Sequence, residues 1–243
     1  MEIGVVMQRY FVNLKHDNEF ILSNEDSYHI EHVMRNKLGD KVEVIYDSDL
    51  YITKIIGFSP VKTLIIDKLD VNNELDVKVF ICQSLVKENK MDLILQKSTE
   101  LGAYSFIPLI VKNSIIKGNS KDFNKKVIRW QEIVRGASRQ SKRNIIPKVY
   151  DVLTIDELVK MDFDLKILCT VNEVSRSLKN VLQNNKKCDT MIIVIGPEGG
   201  FSKEEEKKLI DSGFISTSLG NLVLRTETAS IVSLSMINYE YER

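Results

Sequence analysis

The stretch Met191-Ile-Ile-Val-Ile-Gly196-Pro-Glu-Gly-Gly200-Phe-Ser202 decides the fold class. Five consecutive apolar residues run into a glycine-rich turn, and Ser202-x-x-Glu205 then predicts the capping box of a helix. A continuous apolar strand of this kind is typical of a parallel sheet that is covered on both faces. Because ligands bind beyond the carboxyl ends of parallel strands, the turn is well placed for a site.

The same alternation of strand and helix extends outward from this stretch. Short apolar runs alternate with longer helical segments, which predicts an α/β domain with a largely parallel sheet. One helix is predicted over about residues 87–101, ending at Gly102, and another from Ser202 to Gly213. The other apolar runs are Val77–Cys82, Phe106–Val111, Lys166–Thr170 and Ile215–Leu219.

The first 70 residues have a different pattern. Short β-type runs separated by turn residues predict a small β-barrel here. The polar stretch Asp70–Glu74 follows, so we predict two domains, 1–72 and 73–243, with the boundary near residue 72. The β-type runs are Arg9–Leu14, Lys41–Tyr46, Leu50–Ile56 and Val61–Asp67.

The charge is balanced overall but not along the chain. The 243 residues include 34 basic and 34 acidic ones, yet residues 121–148 hold nine basic and two acidic residues, a formal charge of +7. Apolar residues recur there at steps of three and four, which predicts an amphipathic helix with a cationic face. This excess favours polyanion binding over a solvated face that only aids solubility. The apolar positions are Phe123, Val127, Trp130, Val134 and Ala137.

Several classes of protein are excluded by composition. No apolar run reaches the roughly 18 residues of a membrane helix, and Met1-Glu-Ile-Gly4 lacks the basic start of a signal peptide, so we expect a cytoplasmic protein. Cys82, Cys169 and Cys188 are widely spaced, which argues against a disulfide framework or a zinc site. His29 and His32 have no further nearby ligands, so no metal is expected.

The glycine-rich turn is not a phosphate loop. Glu204, Glu205 and Glu206 load the first turn of the following helix with negative charge, and neither a P-loop lysine nor a GxGxxG fingerprint is present. A neutral or cationic ligand therefore suits this turn better than a nucleoside triphosphate. The alternative is that the glycines serve only the geometry of the turn.

A second motif, Leu219-Gly-Asn-Leu-Val-Leu224-Arg-Thr-Glu-Thr-Ala229, also leads from a short strand into a helix. Together with Ile195–Gly200, it closely resembles the SPOUT RNA methyltransferases, specifically the ribosomal RNA small subunit methyltransferase E family, the 16S rRNA (uracil(1498)-N(3))-methyltransferases. The resemblance extends over nearly the whole chain. It includes Arg9-Tyr-Phe11, His32-Val-Met-Arg35, Lys90–Gly102, Arg129-Trp-Gln131 and Gln140–Arg143.

The resemblance implies a PUA-like, RNA-binding β-barrel followed by a SPOUT domain with a C-terminal trefoil knot. It also implies S-adenosylmethionine as cofactor, a homodimer, and 16S rRNA within the 30S subunit as substrate. The implied cofactor contacts are Thr170, Gly196, Gly200, Leu219, Gly220, Leu224 and Ala229. The residues implied to grip RNA phosphates are Arg9, Arg35, Lys97, Arg139 and Arg143.

Methylation of uracil N3 requires loss of a proton, so a cation that stabilises the uracil anion and a proton acceptor are expected. Arg225 is the candidate cation and Glu198 or Glu227 the candidate acceptor, although either glutamate could equally cap a helix or pair with an arginine. Departures from the family pattern at Asn113, Gly136 and Leu222 leave two alternatives open. These are methylation of another RNA base and a catalytically inactive RNA-binding assembly factor.

Overall fold

The chain forms two compact units in the computed structural model, which describes residues 7–114, 116 and 123–241. The described residues of Met1–Glu74 and the segment Ser138–Ile145 make up the N-terminal unit. The second unit contains the described residues of Leu75–Ala137 and Ile146–Arg243. The expectations that concern Met1–Gly4, and the charges of Lys121 and Asp122, fall outside the described residues.

The N-terminal unit is built on a six-stranded sheet of order β1-β4-β5-β6-β3-β2. Strands β1 and β4 are parallel and the other neighbours are antiparallel. A short helix, α1 (Asn24–Tyr28), continues into a π-helical turn, His29–Val33. The strands are β1 (Arg9–Phe11), β2 (Lys15–His16), β3 (Glu19–Ile21), β4 (Lys41–Tyr46), β5 (Asp49–Gly57) and β6 (Lys62–Leu69).

The sequence explains the central hairpin of this sheet. Asp47 and Ser48 join β4 to β5 with φ angles of 50° and 68°, as a two-residue turn with both central residues at positive φ requires. Val42 and Val44 alternate into the core, where they join Tyr10, Phe20 and others. The predicted runs Lys41–Tyr46, Leu50–Ile56 and Val61–Asp67 therefore coincide with strands.

The second unit has a seven-stranded sheet in which all neighbouring strands are parallel. The order is β10-β8-β7-β12-β11-β13, and β9 also pairs with β8. The strands are β7 (Lys78–Ser84), β8 (Ser105–Ile110), β9 (Lys148–Val149), β10 (Leu153–Thr154), β11 (Leu165–Cys169), β12 (Thr190–Ile195) and β13 (Ile215–Thr217). The helices are α2 (Glu88–Glu100), α3 (Asn124–Gln140), α4 (Ile155–Leu158), α5 (Leu178–Asn184), α6 (Lys203–Asp211) and α7 (Thr226–Tyr241).

Apolar side chains cover both faces of this sheet. Ile81 and Ile193 belong to one buried cluster, whereas Cys82 and Ile192 belong to another. Neighbouring residues of one strand thus enter different cores, which is why β12 reads as a continuous apolar run. The predicted α/β class with a parallel sheet is confirmed.

Helix boundaries follow local signals. Helix α2 is followed by Gly102 at a φ of +100°, a left-handed conformation that glycine adopts without strain. Helix α6 begins with the predicted capping box of Ser202 and Glu205. Phe123, Trp130, Val134 and Ala137 are buried in or beside α3, as its apolar periodicity predicts. Within the described ranges, no helix is both long and apolar enough to cross a bilayer.

Candidate functional site

A cavity of about 890 Å³ opens where three neighbouring strands of the parallel sheet end. Its walls come from residues 169–174 after β11, 195–201 after β12 and 218–226 after β13, with Lys203, Glu206 and Ala229. The volume lies within the range of about 300–1,000 Å³ that small-molecule sites occupy. The cavity thus lies at the carboxyl ends of the strands, where the sequence places a site.

All seven residues predicted to contact a cofactor line this cavity: Thr170, Gly196, Gly200, Leu219, Gly220, Leu224 and Ala229. The predicted catalytic residues Glu198 and Arg225 line it as well, whereas Glu227 lies just beyond in the first turn of α7. The two motifs, although some 20 residues apart along the chain, therefore form a single site.

Glycine occupies two positions of the turn after β12 for different geometric reasons. A Cβ at Gly196 would lie 3.0 Å from a ring carbon of Phe201, so any larger residue would require the ring to shift by a few tenths of an ångström. Gly200 has a φ of +65°, which side chains rarely adopt. The Gly196 carbonyl also accepts a hydrogen bond of 2.7 Å from the Thr226 hydroxyl, which connects the turn to the start of α7.

The side chain of Asn113 holds the same turn from outside. Its Nδ2 donates to the carbonyl oxygens of Gly199 and Gly200, at 3.1 and 3.2 Å. A Cβ at Gly199 would lie 3.2 Å from the Asn113 Cβ, so the two backbones approach closely. In the sequence, Asn113 is only a departure from the family pattern, whereas in the structure it stabilises the turn that lines the cavity.

A buried hydrogen-bond network fixes the start of α7. Gln83 at the end of β7 donates from Nε2 to Thr226 Oγ1 at 3.0 Å and accepts from Ser230 Oγ at 2.5 Å. Sequence reasoning missed Gln83 because its partners lie more than 140 residues further along the chain. The only local signal is an amide within an apolar strand, which needs buried partners.

The three glutamates at the start of α6 have three different environments. Glu206 lines the cavity and accepts from Thr170 Oγ1 at 2.6 Å and from Asn172 Nδ2 at 3.0 Å. Glu205 completes the capping box and also accepts from the Lys112 backbone N–H at 2.7 Å. Glu204 is exposed and lies 3.9 Å from Lys112. Only Glu206 therefore adds its charge to the cavity wall.

A further carboxylate, Glu173, makes the same wall anionic. It accepts from the hydroxyl and the backbone N–H of Ser175 and from the N–H of Arg176, at 2.6, 2.7 and 3.0 Å. These donors, the Ser175 hydroxyl above all, lower the pKa of Glu173 to about 2. Glu173 is therefore ionised at neutral pH, and its charge suits a ligand that is positively charged.

The two candidate proton acceptors share one cation. Lys90 Nζ lies 2.8 Å from Glu198 Oε1 and 3.3 Å from Glu227 Oε2. Burial alone would raise the pKa of Glu198. The hydrogen bond from Lys90, a backbone hydrogen bond and the charges of Lys90 and Lys87 together outweigh burial, so this pKa lies below its usual value. Both glutamates thus have a cationic partner, and that partner is a lysine that the sequence did not single out for this role.

Arg225, unlike Glu198 and Glu227, has no charged partner among the described residues. Its side chain is exposed at the cavity and makes no hydrogen bond or ion pair with any residue that the structure describes. An arginine on a loop with no protein partner remains available to a ligand or substrate.

The residues predicted to grip RNA fall into two groups. Arg9 and Arg143 are 4% and 3% exposed, and they pair with Glu43 and Glu74 in the N-terminal unit. Arg139 forms an ion pair of 2.5 Å with the buried Asp26 in the same unit. All three guanidinium groups therefore have carboxylate partners, as core arginines do.

The other two predicted RNA contacts are more accessible. Arg35 is exposed, with a φ of 55°, and Lys97 is half-buried and pairs with Glu100 at 2.9 Å. The cationic face of α3 is partly neutralised, because Arg129 makes a two-pronged pair with Asp92 at 2.9 and 2.7 Å. RNA contact remains a prediction for the whole set.

The cysteines and the two closely spaced histidines of the described residues have structural surroundings. Across the described residues, no group of three or more His, Cys, Asp or Glu side chains is arranged to hold a metal ion. The cysteines are free thiols, and burial raises the pKa of Cys169, which lines the cavity, to about 12. His29 instead contacts the Tyr10 hydroxyl at 3.0 Å, and His32 packs against the Tyr28 ring.

Comparison with known proteins gives one consistent result. The family described as RNA methyltransferase domain matches residues 73–238. The ribosomal RNA small subunit methyltransferase E of Bacillus subtilis is 34% identical, covering 97% of this chain and 98% of that protein, and the protein of the same name from Mesomycoplasma hyopneumoniae is 33% identical, covering 94% and 98%.

A solved structure agrees with these relatives. A protein from Legionella pneumophila, solved in complex with the cofactor S-adenosylmethionine, is 30% identical and superimposes with a TM-score of 0.87 over 97% of this chain and 98% of that one. The fold comparison and the full-length sequence similarity therefore agree with each other. The chain belongs to the ribosomal RNA small subunit methyltransferase E family.

Proposed function

We propose that the protein is an S-adenosylmethionine-dependent methyltransferase that methylates N3 of a uridine in the 16S rRNA of the small ribosomal subunit. The observation that carries this proposal is the cavity at the strand ends, where both glycine-bearing motifs meet. The relatives named small subunit methyltransferases and the Legionella structure with bound cofactor support the same activity.

The residues of the cavity fit S-adenosylmethionine. Leu219, Leu224 and Ala229 offer an apolar surface for a flat adenine ring, and the backbone at Gly196 and Gly220 allows close approach. Glu173 and Glu206 place negative charge on the wall, which suits a ligand with a sulfonium and an ammonium group. Thr170 lies beside Glu206 and holds that carboxylate in place.

When bound, S-adenosylmethionine supplies an electrophilic methyl group. The chain itself has to orient the acceptor uracil, stabilise its anion and take up the N3 proton. Arg225, whose side chain has no partner among the described residues, lines the cavity and would stabilise the anion. Of the two candidate acceptors, Glu198 lines the cavity and Glu227 does not, so Glu198 is the one that can reach a bound base.

The finer features of the family are part of the proposal. We propose a trefoil knot in the second unit, which is supported by the position of β12 between β7 and β11 although it follows both along the chain. We likewise propose that the sheet of the N-terminal unit is a PUA-like, RNA-binding barrel. The predicted domain 1–72 supplies most of this barrel together with Ser138–Ile145, and the rest of 73–243 forms the methyltransferase domain. A homodimer, a cytoplasmic location and the 30S particle as substrate follow from the family resemblance.

Product analysis tests the activity directly. Purified protein is incubated with methyl-labelled S-adenosylmethionine and small ribosomal subunits that lack the modification, and the RNA is then digested to nucleosides. Label in 3-methyluridine is the expected result, and naked 16S rRNA in parallel tests whether the assembled particle is required. Label in a different nucleoside, or cofactor binding with no label in either substrate, would contradict the proposal.

A further inference from the structure

A lysine and two glutamates form a charged cluster beside the cavity. Lys90 belongs to the first turn of α2, Glu198 to the glycine-rich turn after β12 and Glu227 to the first turn of α7. One ammonium group therefore contacts two segments that line or border the cavity, at 2.8 and 3.3 Å. Nothing in the local sequence of α2 requires this arrangement.

The contacts of this cluster are energetically important because Glu227 is largely buried. The side chain of Glu227 is 13% exposed, and its Oε2 is buried without a hydrogen bond from the described residues. Without the Lys90 ammonium, this buried charge would lack its cationic neighbour and would face the nearby carboxylate of Glu198. A buried charge without its partner, next to a like charge, destabilises the local conformation.

We propose that Lys90 is a positioning residue, which ties the glycine-rich turn to the start of α7 and so fixes the cavity walls for cofactor binding. The inference rests on the proposed function, because it assumes that Gly196 and Gly200 on that turn contact S-adenosylmethionine. Lys90 itself does not line the cavity, so it acts through Glu198 and Glu227.

Two other roles for Lys90 fit less well. A lysine that served only solubility would extend into solvent, yet this ammonium is held between two carboxylates from distant parts of the sequence. A proton acceptor would need a neutral amine at working pH. The hydrogen bond from Lys90 to Glu198, and after it the contact with Glu227, raises the pKa of Lys90, so the amine stays protonated.

Affinity for S-adenosylmethionine, measured by titration calorimetry, tests the proposal in the full-length protein. We expect Lys90→Met to weaken binding by about tenfold or more, and Lys90→Arg, which keeps the charge, to stay within about threefold of the wild type. Lys207→Met is the matched control, because Lys207 is an exposed lysine whose ion pair with Asp211 on α6 lies outside the cavity. Its affinity should not change.

A double-mutant cycle separates positioning from simple packing of the lysine stem. In the background Glu198→Gln with Glu227→Gln, the carboxylates through which Lys90 acts are gone, so Lys90→Met should cost less than about twofold. A loss of equal size in both backgrounds would show that the aliphatic stem, and not the ammonium, matters. That result would overturn the proposal.

The remaining outcomes are also decisive. Wild-type affinity in Lys90→Met would overturn the positioning role while the proposed function stands, whereas a wild-type protein that fails to bind S-adenosylmethionine would refute the proposed function itself. If thermal unfolding shows that Lys90→Met does not fold, the isosteric variants Glu198→Gln and Glu227→Gln serve instead. Each should weaken binding by roughly threefold to tenfold, and unchanged affinity in both would overturn the inference.

Discussion

Arg225 is the residue on which the proposed chemistry depends most. It lies at the cavity with no partner among the described residues, so its charge is available to a uracil anion. We expect Arg225→Ala to lower kcat by about 10²-fold, the usual order for the loss of one electrostatic stabiliser, and to leave the unfolding temperature unchanged because the side chain is exposed. Single-turnover methylation and thermal unfolding measure the two effects.

Lys179→Ala is the matched control for this prediction. Lys179→Ala removes an exposed charge from α5, away from the cavity lining, and should keep full activity. Turnover of Arg225→Ala at the wild-type rate would remove Arg225 from the mechanism. A large rise in the dissociation constant for S-adenosylmethionine with unchanged kcat would instead assign Arg225 to cofactor binding.

Glu173 gives the cavity wall a predictable dependence on acid. Its pKa lies at about 2 in the folded protein, below the ordinary value of 4.5, so its hydrogen bonds stabilise the fold fully above that ordinary value. The contribution is lost as the pH falls from about 4.5 towards 2. Urea unfolding across this range should therefore show the gap in unfolding free energy between wild type and Glu173→Gln shrinking with acid.

The variant Ser175→Ala tests the cause of that shift. It removes the Ser175 hydroxyl, the largest contributor to the lowered pKa of Glu173, and leaves two backbone donors in place. Its pH dependence should lie between those of the wild type and Glu173→Gln. A gap between wild type and Glu173→Gln that stays constant from pH 5 to 2 would refute the assignment.

At the residue level, what the sequence predicts is the part that depends on local backbone. The sequence predicts Gly196, Gly200 and Gly220 as site residues, because glycine in a turn after a strand permits backbone conformations that other residues rarely adopt. The roles of Lys90, Gln83 and Asn113 cannot be predicted from the sequence, because each side chain contacts partners more than 80 residues away. Side chains of these types have no local pattern that distinguishes such a role from a surface position.

Helix α6 shows what a local signal contributes at the level of an element. Ser202 accepts from the Glu205 backbone, Glu205 accepts from the Ser202 N–H at 2.8 Å, and Glu205 also accepts from Lys112. We expect Ser202→Ala to lower the free energy of unfolding by about 1 kcal/mol through loss of the cap. Chemical denaturation measures this change.

Ser235→Ala is the control for that substitution. Its hydroxyl bonds back to the Ile231 carbonyl on the exposed side of α7, where alanine is a better helix former. Its stability should therefore change by less than about 0.5 kcal/mol. Equal losses in the two variants would show that the Ser202 cap contributes nothing specific.

Strands that lie within a run of four or more apolar or alternating residues are predicted from the sequence, whereas the two-residue strands are not. Strands β4, β7 and β12 have enough residues for their pattern to be visible. The two-residue strands β2, β9 and β10 exist only because a longer neighbour pairs with them. Periodicity needs at least four residues to be recognised, so these strands depend on tertiary structure alone.

At the scale of the whole molecule, the N-terminal unit is discontinuous in sequence. Ser138–Ile145, which a local reading assigns to the tail of a helix and its loop, belongs with the first 74 residues. Arg143 donates to both oxygens of Glu74 at 3.0 and 2.9 Å, and Asn144 donates to the carbonyls of Ser48 and Val71 at 3.0 and 2.8 Å. These bonds join residues about 70 positions or more apart, so no local pattern predicts them.

This discontinuity predicts how the N-terminal unit behaves in isolation. A fragment of residues 1–74 would leave Glu74 without Arg143, and the buried Arg9 guanidinium would lose the carbonyls of Lys142 and Arg143. Loss of partners from buried charges is strongly destabilising, so the fragment should unfold at a lower temperature than the same fragment joined to residues 138–145 by a flexible glycine–serine linker. Calorimetry compares the two, with Arg143→Met in the linked form as control. If the bare fragment unfolds cooperatively at the same temperature as the linked one, the segment contributes nothing, and the contiguous boundary near residue 72 describes the unit better.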